Sequence, residues 1–283
     1  MSVGLHAAEA EEDEGLPAWS LPADAVDRIR LDVRWSEPIT REWALGGATG
    51  AGVRVCVLDS GIEDGHPLVG EVQKSYAVSV DDDGEERVEP DTQGDKVGHG
   101  TACAGIIRSL APEAELVSVR VIGDGYTGSG RVLLAGLRWA IEQGYDVINM
   151  SLSTTKRDFA GVLHDLADTA YFNKTVLVAS AHNMAVESYP WKFSSVISVG
   201  SHEETEPLTW FVNPSPPIEF FARGLELDVA WLDGTTLRVT GNSFATPHVS
   251  GICALILSKH RDLTPFQLKS VLSLTANNAA VDG

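Results

Sequence analysis

Short apolar runs alternate along the chain with longer amphipathic stretches, and the two patterns predict strands and helices in turn. The runs at 53–58, 116–121, 146–150, 175–180 and 195–199 are rich in Val, Ile and Leu and too short for helices. Near-continuous apolarity of this kind predicts parallel strands buried on both faces. The stretches 99–109, 129–142, 158–172, 243–259 and 264–274 carry helical patterns. Strand followed by helix, repeated, predicts an α/β fold: a doubly wound, mostly parallel sheet flanked by helices. Near the start, Leu16 to Pro22 predicts an extended segment suited to lying across a groove, Asp24 to Ile29 a short helix or turn, and the glycines between Gly46 and Gly52 a tight turn.

Composition narrows the class. With 283 residues, 43% of them hydrophobic, the chain can bury one large core. The expected organisation is an acidic, partly disordered N-terminal extension over 1–40 and one domain over 41–283. Lys and Arg number 21 against 40 acids, a net charge of −19, which argues against a nucleic-acid partner because phosphate backbones select basic surfaces. The first residues have neither a basic start nor an apolar run, and no stretch is long enough to span a bilayer, so a cytoplasmic location without membrane association is expected. Three cysteines, an odd number, fall within predicted strands and helices and read as reduced thiols.

Candidate chemistry sits at the joints of this pattern. Ser243 stands just after Gly241 at the start of the predicted helix 243–259, where free N–H groups favour negative charge; Gly241 is expected to supply a backbone conformation that other residues resist. A serine there also reads as a simple helix cap. Asp59 ends a predicted strand, the edge where α/β sheets collect their sites, and His99 lies between two glycines that are expected to leave its ring free to face that edge. Each has a plainer reading as a turn or cap residue. Together they supply a hydroxyl nucleophile, a base that titrates near neutrality and an acid to orient it. Asn183, after the apolar run to Ala181, is the candidate second donor to an oxyanion beside the Ser243 N–H, or else a turn amide. The GxGxxG spelling of Gly123 to Gly128 is a weak dinucleotide signal, because the next predicted strand ends in Asn149-Met-Ser151 rather than an acid. The acidic run Asp81 to Glu86 lacks an EF-hand spacing and is expected to be a solvated loop.

Asp59-Ser-Gly61, His99-Gly-Thr101 and Gly241-Asn-Ser-Phe-Ala-Thr-Pro247 resemble the three signature segments of the subtilisin-like serine proteases, and the resemblance extends over about residues 40 to 278. It implies a subtilisin-like fold and a serine endopeptidase with Asp59, His99 and Ser243 as the triad and Asn183 at the oxyanion hole. It further implies that Gly125, Tyr126, Thr127 and Gly128 form one edge pairing with extended substrate, and that Ser151, Leu152 and Ser153 form the facing edge. The family usually has Gly at Ser153 and at His182, and often His at Ala102. The direct passage from Ile107 to Leu116 implies that the family's calcium loop is missing, so no metal and no cofactor is expected. The roughly 40 leading residues are too few for the family's folded prosequence, which suggests a short blocking peptide or none, and limited processing of one peptide or protein. The C-terminus lacks a further strand and helix common in the family, so either that element is dispensable or a partner chain covers the surface. A peptide-binding module that has lost catalysis is the alternative. An α/β-hydrolase is disfavoured, because its elbow needs GxSxG and the order Ser, Asp, His.

Overall fold

The computed structural model describes residues 38–279 apart from 82, 124, 126, 127 and 216. The expected segments at 16–22 and 24–29 therefore lie outside the described residues. The chain divides between Ser36 and Glu37, and every described residue belongs to the second unit.

The strands are, in chain order, β1 (Arg54–Asp59), β2 (Lys74–Val80), β3 (Glu86–Pro90), β4 (Glu115–Arg120), β5 (Val147–Met150), β6 (Val176–Ser180), β7 (Ile197–His202), β8 (Trp210–Val212) and β9 (Phe220–Arg223). They form one sheet in the order β3-β2-β4-β1-β5-β6-β7-β9-β8. Only the outermost pairs, β2 with β3 and β8 with β9, run antiparallel; the rest are parallel. Two further strands, β10 (Leu227–Trp231) and β11 (Thr235–Val239), make a separate antiparallel ribbon. Helices α1 (Arg41–Leu45), α2 (His99–Leu110), α3 (Gly130–Glu142), α4 (Ala160–Phe172), α5 (Asn242–Lys259) and α6 (Pro265–Leu274) flank the sheet.

The fold class is the one the alternation predicts, and each predicted strand or helix is observed within three residues of its expected ends. Every residue of β5 and β6 is buried, which is why their sequences are apolar except for Asn149 and Ser180. The apolar pattern does not reveal β2, β3 or the strands from β8 to β11. Lys74-Ser-Tyr-Ala-Val-Ser-Val80 and Glu86-Arg-Val-Glu-Pro90 are half-exposed to exposed, so they carry no apolar run to detect. Of the acidic run, Asp81, Asp83, Gly84 and Glu85 lie between these strands and Glu86 begins β3. Asp81 Oδ1 accepts from the amides of Asp83 and Glu85, Asp81 pairs with Arg87, and Glu86 pairs with Arg131.

Helix α5 is buried from Phe244 to Leu257, without a solvent face. It packs on α2 and against β5, β6, β7 and β9. The approach to α2 is close enough that a Cβ at Gly251 would lie 3.0 Å from Leu110. Pro247 lies inside this helix and has no N–H for the carbonyl of Ser243, four residues earlier.

Far from these contacts, the Lys269 ammonium of α6 donates to the carbonyls of Ser194 (2.7 Å) and Val196 (2.8 Å) and to Glu219 Oε1 (2.8 Å). Lys269→Met would leave a partly buried carboxylate and two carbonyls without their donor. We expect a loss of about 2 kcal/mol, read as a lower urea midpoint at unchanged m-value.

Candidate active site

The parallel strands β1, β5 and β6 end at the same sheet edge, and the residues after them meet there. Asp59 is the last residue of β1 and is fully buried. Its Oδ1 accepts from the Ser60 amide at 2.8 Å and from His99 Nδ1 at 2.8 Å, while Oδ2 stands 3.0 Å from the same ring nitrogen. The carboxylate thus fixes the ring tautomer, with the proton on Nδ1.

His99 opens α2, and the glycines around it serve close packing. Gly98 has φ +94, and a Cβ there would lie 2.6 Å from the Trp231 ring; a Cβ at Gly100 would run into the carbonyl of Gly61. The ring faces the sheet edge, where Asp59 holds it on one side and Phe244 packs on another, with centroids 5.2 Å apart.

Asp95 holds this pair from behind, and the sequence motifs do not include it. Its Oδ1 accepts from Ser60 Oγ, Val97 N and Gly98 N, each at 2.9 Å; its Oδ2 accepts from Thr101 N at 2.9 Å and Thr101 Oγ1 at 2.7 Å. Ser60 Oγ in turn accepts from the Gly100 amide at 2.9 Å. One buried carboxylate therefore ties the residue after Asp59 to both sides of His99. Its one signal in the chain is an acid four positions before a histidine at a helix start. Burial disfavours the charged imidazole, but the negative charges of Asp59 and Asp95 outweigh it, and the pKa of His99 stands above its ordinary value.

Ser243 is the second residue of α5, and its segment reaches the same place. The carbonyl that Pro247 leaves unpaired lies 3.8 Å from Cys103 Sγ, and that sulfur lies 4.0 Å from Asp59 Oδ2. A further chain supports the floor: Ser250 Oγ donates to Asn149 Oδ1 at 2.9 Å, and Asn149 Nδ2 donates to Ser151 Oγ at 3.1 Å. Asn183 Oδ1 accepts from the Asn242 amide at 2.9 Å, which leaves its Nδ2 free to donate. A Cβ on Gly241 would sit 3.3 Å from both Asn183 Nδ2 and Ser243 Oγ. Gly241 itself has φ 163, extended backbone that any residue adopts. The expectation of an unusual conformation is thus corrected; the residue is small because two functional side chains converge on it.

Of the two expected substrate edges, Gly128, Leu152 and Ser153 line a common cavity of about 180 Å³ with Ile122 and Leu133. Ser151 lies beneath, at the end of β5, and Gly125 takes φ +67 in the facing loop. Tyr126 and Thr127 lie outside the described residues. Among the described residues, the side chains of Asp59, His99 and Cys103 bring metal-ligating atoms within 4.8 Å of one another. Burial, and next the charge of Asp59, hold the Cys103 thiol well above its ordinary pKa, so it offers no ready thiolate. All three cysteines are buried and unpaired.

The profile of the Subtilase family matches residues 50–283. Subtilisin DY of Bacillus licheniformis is 33% identical over 82% of this chain and 86% of its own. Subtilisin E of Bacillus subtilis (strain 168) is 34% identical over 81% of this chain but only 62% of its own length. Among solved structures, a cold adapted subtilisin-like serine proteinase superposes with a TM-score of 0.67 at 28% identity, over 83% of this chain and 86% of that one. The chain belongs to the subtilase family of serine endopeptidases.

Asp95→Asn replaces an acceptor facing two Thr101 donors by a further donor. We expect a loss of about 2–4 kcal/mol in chemical denaturation. The NMR-determined pKa of His99 should fall, because one of the two charges that raise it is gone.

Proposed function

We propose that the protein cuts peptide bonds in an extended segment through an acyl-enzyme, with Ser243 as nucleophile, His99 as general base and Asp59 orienting the imidazole. The observation that carries this reading is the buried Asp59–His99 hydrogen bond, at a sheet edge where the Ser243 hydroxyl and the Asn183 amide converge on Gly241. In the first step Ser243 Oγ bonds to the scissile carbonyl carbon, and its proton passes to His99 Nε2. The charge on the carbonyl oxygen is met by Asn183 Nδ2 and the Ser243 N–H, at the positive end of α5. Collapse of the tetrahedral species expels the amine, which takes the proton from His99; water then repeats the sequence to free the acid.

Substrate backbone lies between the segments at 125–128 and 151–153, with an aliphatic side chain in the cavity walled by Ile122, Leu133 and Leu152. The three buried, unpaired thiols favour a reducing compartment, and the limited processing of a particular peptide is the further part of this reading. A module that binds peptides on the same fold without cutting them is the second reading, and a fluorophosphonate probe separates the two.

Ser243 in the native protein should carry the phosphonyl adduct; a folded protein that stays unlabelled would leave only the binding module. Ser243→Ala should lower turnover on the order of 10⁶-fold and Asn183→Ala about 10²–10³-fold, magnitudes borrowed from subtilisin. The base must be neutral to act, so kcat/KM should fall as pH drops through the raised pKa of His99, with the midpoint above the ordinary imidazole value of about 6.5.

A further inference from the structure

Behind α5, away from the groove, a second cavity of about 230 Å³ lies between that helix, α2, β9 and the β10–β11 ribbon. Its walls include Leu68, Ile106, Leu227 and Val229, and two polar groups that the proposed chemistry does not use: Arg223, the last residue of β9, and His248 of α5.

Both polar groups keep bonding capacity that the fold does not use. Arg120 is bonded twice by Asp91, and Arg108 donates to four carbonyls. Arg223 belongs to a chain with 40 acids, yet its side chain donates to none of the described residues, and its Nε is buried without a partner. His248 is 3% exposed. Its Nδ1 donates to the carbonyl of Phe244 at 2.9 Å, and Nε2 has no partner among the described residues. A buried donor without a partner is costly; Arg223 Nε is one, and together with the open acceptor Nε2 of His248 in the same cavity wall it points to a ligand.

The character of each group defines that ligand. Since Nδ1 carries the proton, neutral His248 offers Nε2 as a bare acceptor. Burial first, helped by the neighbouring Arg223 and His202, lowers its pKa to about 4, so the ring is neutral at pH 7. Arg223 offers a cation with several N–H donors. The other polar groups facing this space are engaged. His202 bonds the carbonyl of Thr209 and the amide of Glu204, Asp228 is held by Arg238, and Ser109 donates to Ile106. The complement of a cation, a neutral acceptor and an apolar wall is a carboxylate, an N–H and a short aliphatic group. An N-acylated amino acid has all three, with its N–H two bonds from the carboxyl carbon. The volume lies below the range typical of drug-sized ligands, which suits a single residue.

We propose that this cavity binds the C-terminal residue of a peptide, with its carboxylate on Arg223, its amide N–H on His248 Nε2 and an aliphatic side chain against Leu227 and Val229. Peptide hydrolysis creates such chain ends, although the site itself does not depend on the hydrolytic reading. It lies apart from the groove, so occupancy does not displace substrate.

The test uses the full chain as Ser243→Ala, which prevents self-digestion, and follows the histidine Cε1–H resonances; the His248 signal is assigned by its loss in His248→Gln. N-acetyl-L-leucine should shift the His248 resonance saturably. N-acetyl-L-leucinamide, without the carboxylate, should not, and isocaproate, without the N–H, should bind several-fold more weakly. Arg223→Gln should weaken N-acetyl-L-leucine by about 10-fold or more, as expected for loss of a charge-assisted pair. Equal binding of the amide, undiminished binding by Arg223→Gln, or shifts confined to His99 would each overturn the proposal. Equal binding of isocaproate would overturn the part assigned to His248. Should Arg223→Gln fail to fold, the comparison of the three ligands decides alone.

Discussion

A helix without a solvent face cannot be placed loosely, and α5 is such a helix. Its sides are occupied by α2 and by strands of the sheet, so any rotation or slide would drive Leu or Ile side chains into a packed interior at a cost of several kcal/mol. That constraint reaches the chemistry because both helices carry a functional group in their first turn: His99 opens α2 and Ser243 is the second residue of α5. Small residues, Gly98, Gly100 and Gly251 among them, let backbones approach where ordinary side chains would hold them apart.

The second organising force is electrostatic. Two buried carboxylates, Asp59 and Asp95, stand near one imidazole, an arrangement that would be severely destabilising without donors. Asp95 accepts from Ser60, Val97, Gly98 and Thr101, and Asp59 accepts from Ser60 and His99. The donors compensate the burial of both acids, and Asp59 and Asp95 in turn hold the ring in place and raise its pKa. Pro247 contributes by omission: the carbonyl it cannot satisfy faces the Cys103 thiol, which joins the starts of α5 and α2 through a weak donor.

Much of this is legible in the chain. Nearly continuous apolar strands such as 147–150 and 176–180 announce their burial on both faces, and the starts of α5 and α6 fall where Gly241 and Thr264 stand. The half-exposed β2 and β3 are not, since Lys74, Glu86 and Glu89 interrupt any apolar pattern. Motif spacing singles out Asp59, His99, Asn183 and Ser243, yet it cannot show that Asp95 clamps two of those segments, because its partners are set by how β1 crosses α2. Gly241 shows a different limit. Sequence says that a side chain is absent there; only packing says whether conformation or space is the reason, and here it is space. His248 and Arg223 lie 25 positions apart and share a cavity that no local pattern announces.

The ammonium of Lys269, seated among the oxygens of Ser194, Val196 and Glu219, is a cation that cannot be washed away. A corner closed by a diffusible ion opens and shuts with the composition of the medium; this one is closed by a tethered charge. The junction between the loop before β7 and helix α6 therefore keeps its cation when a chelator is added, although salt still screens the pair with Glu219.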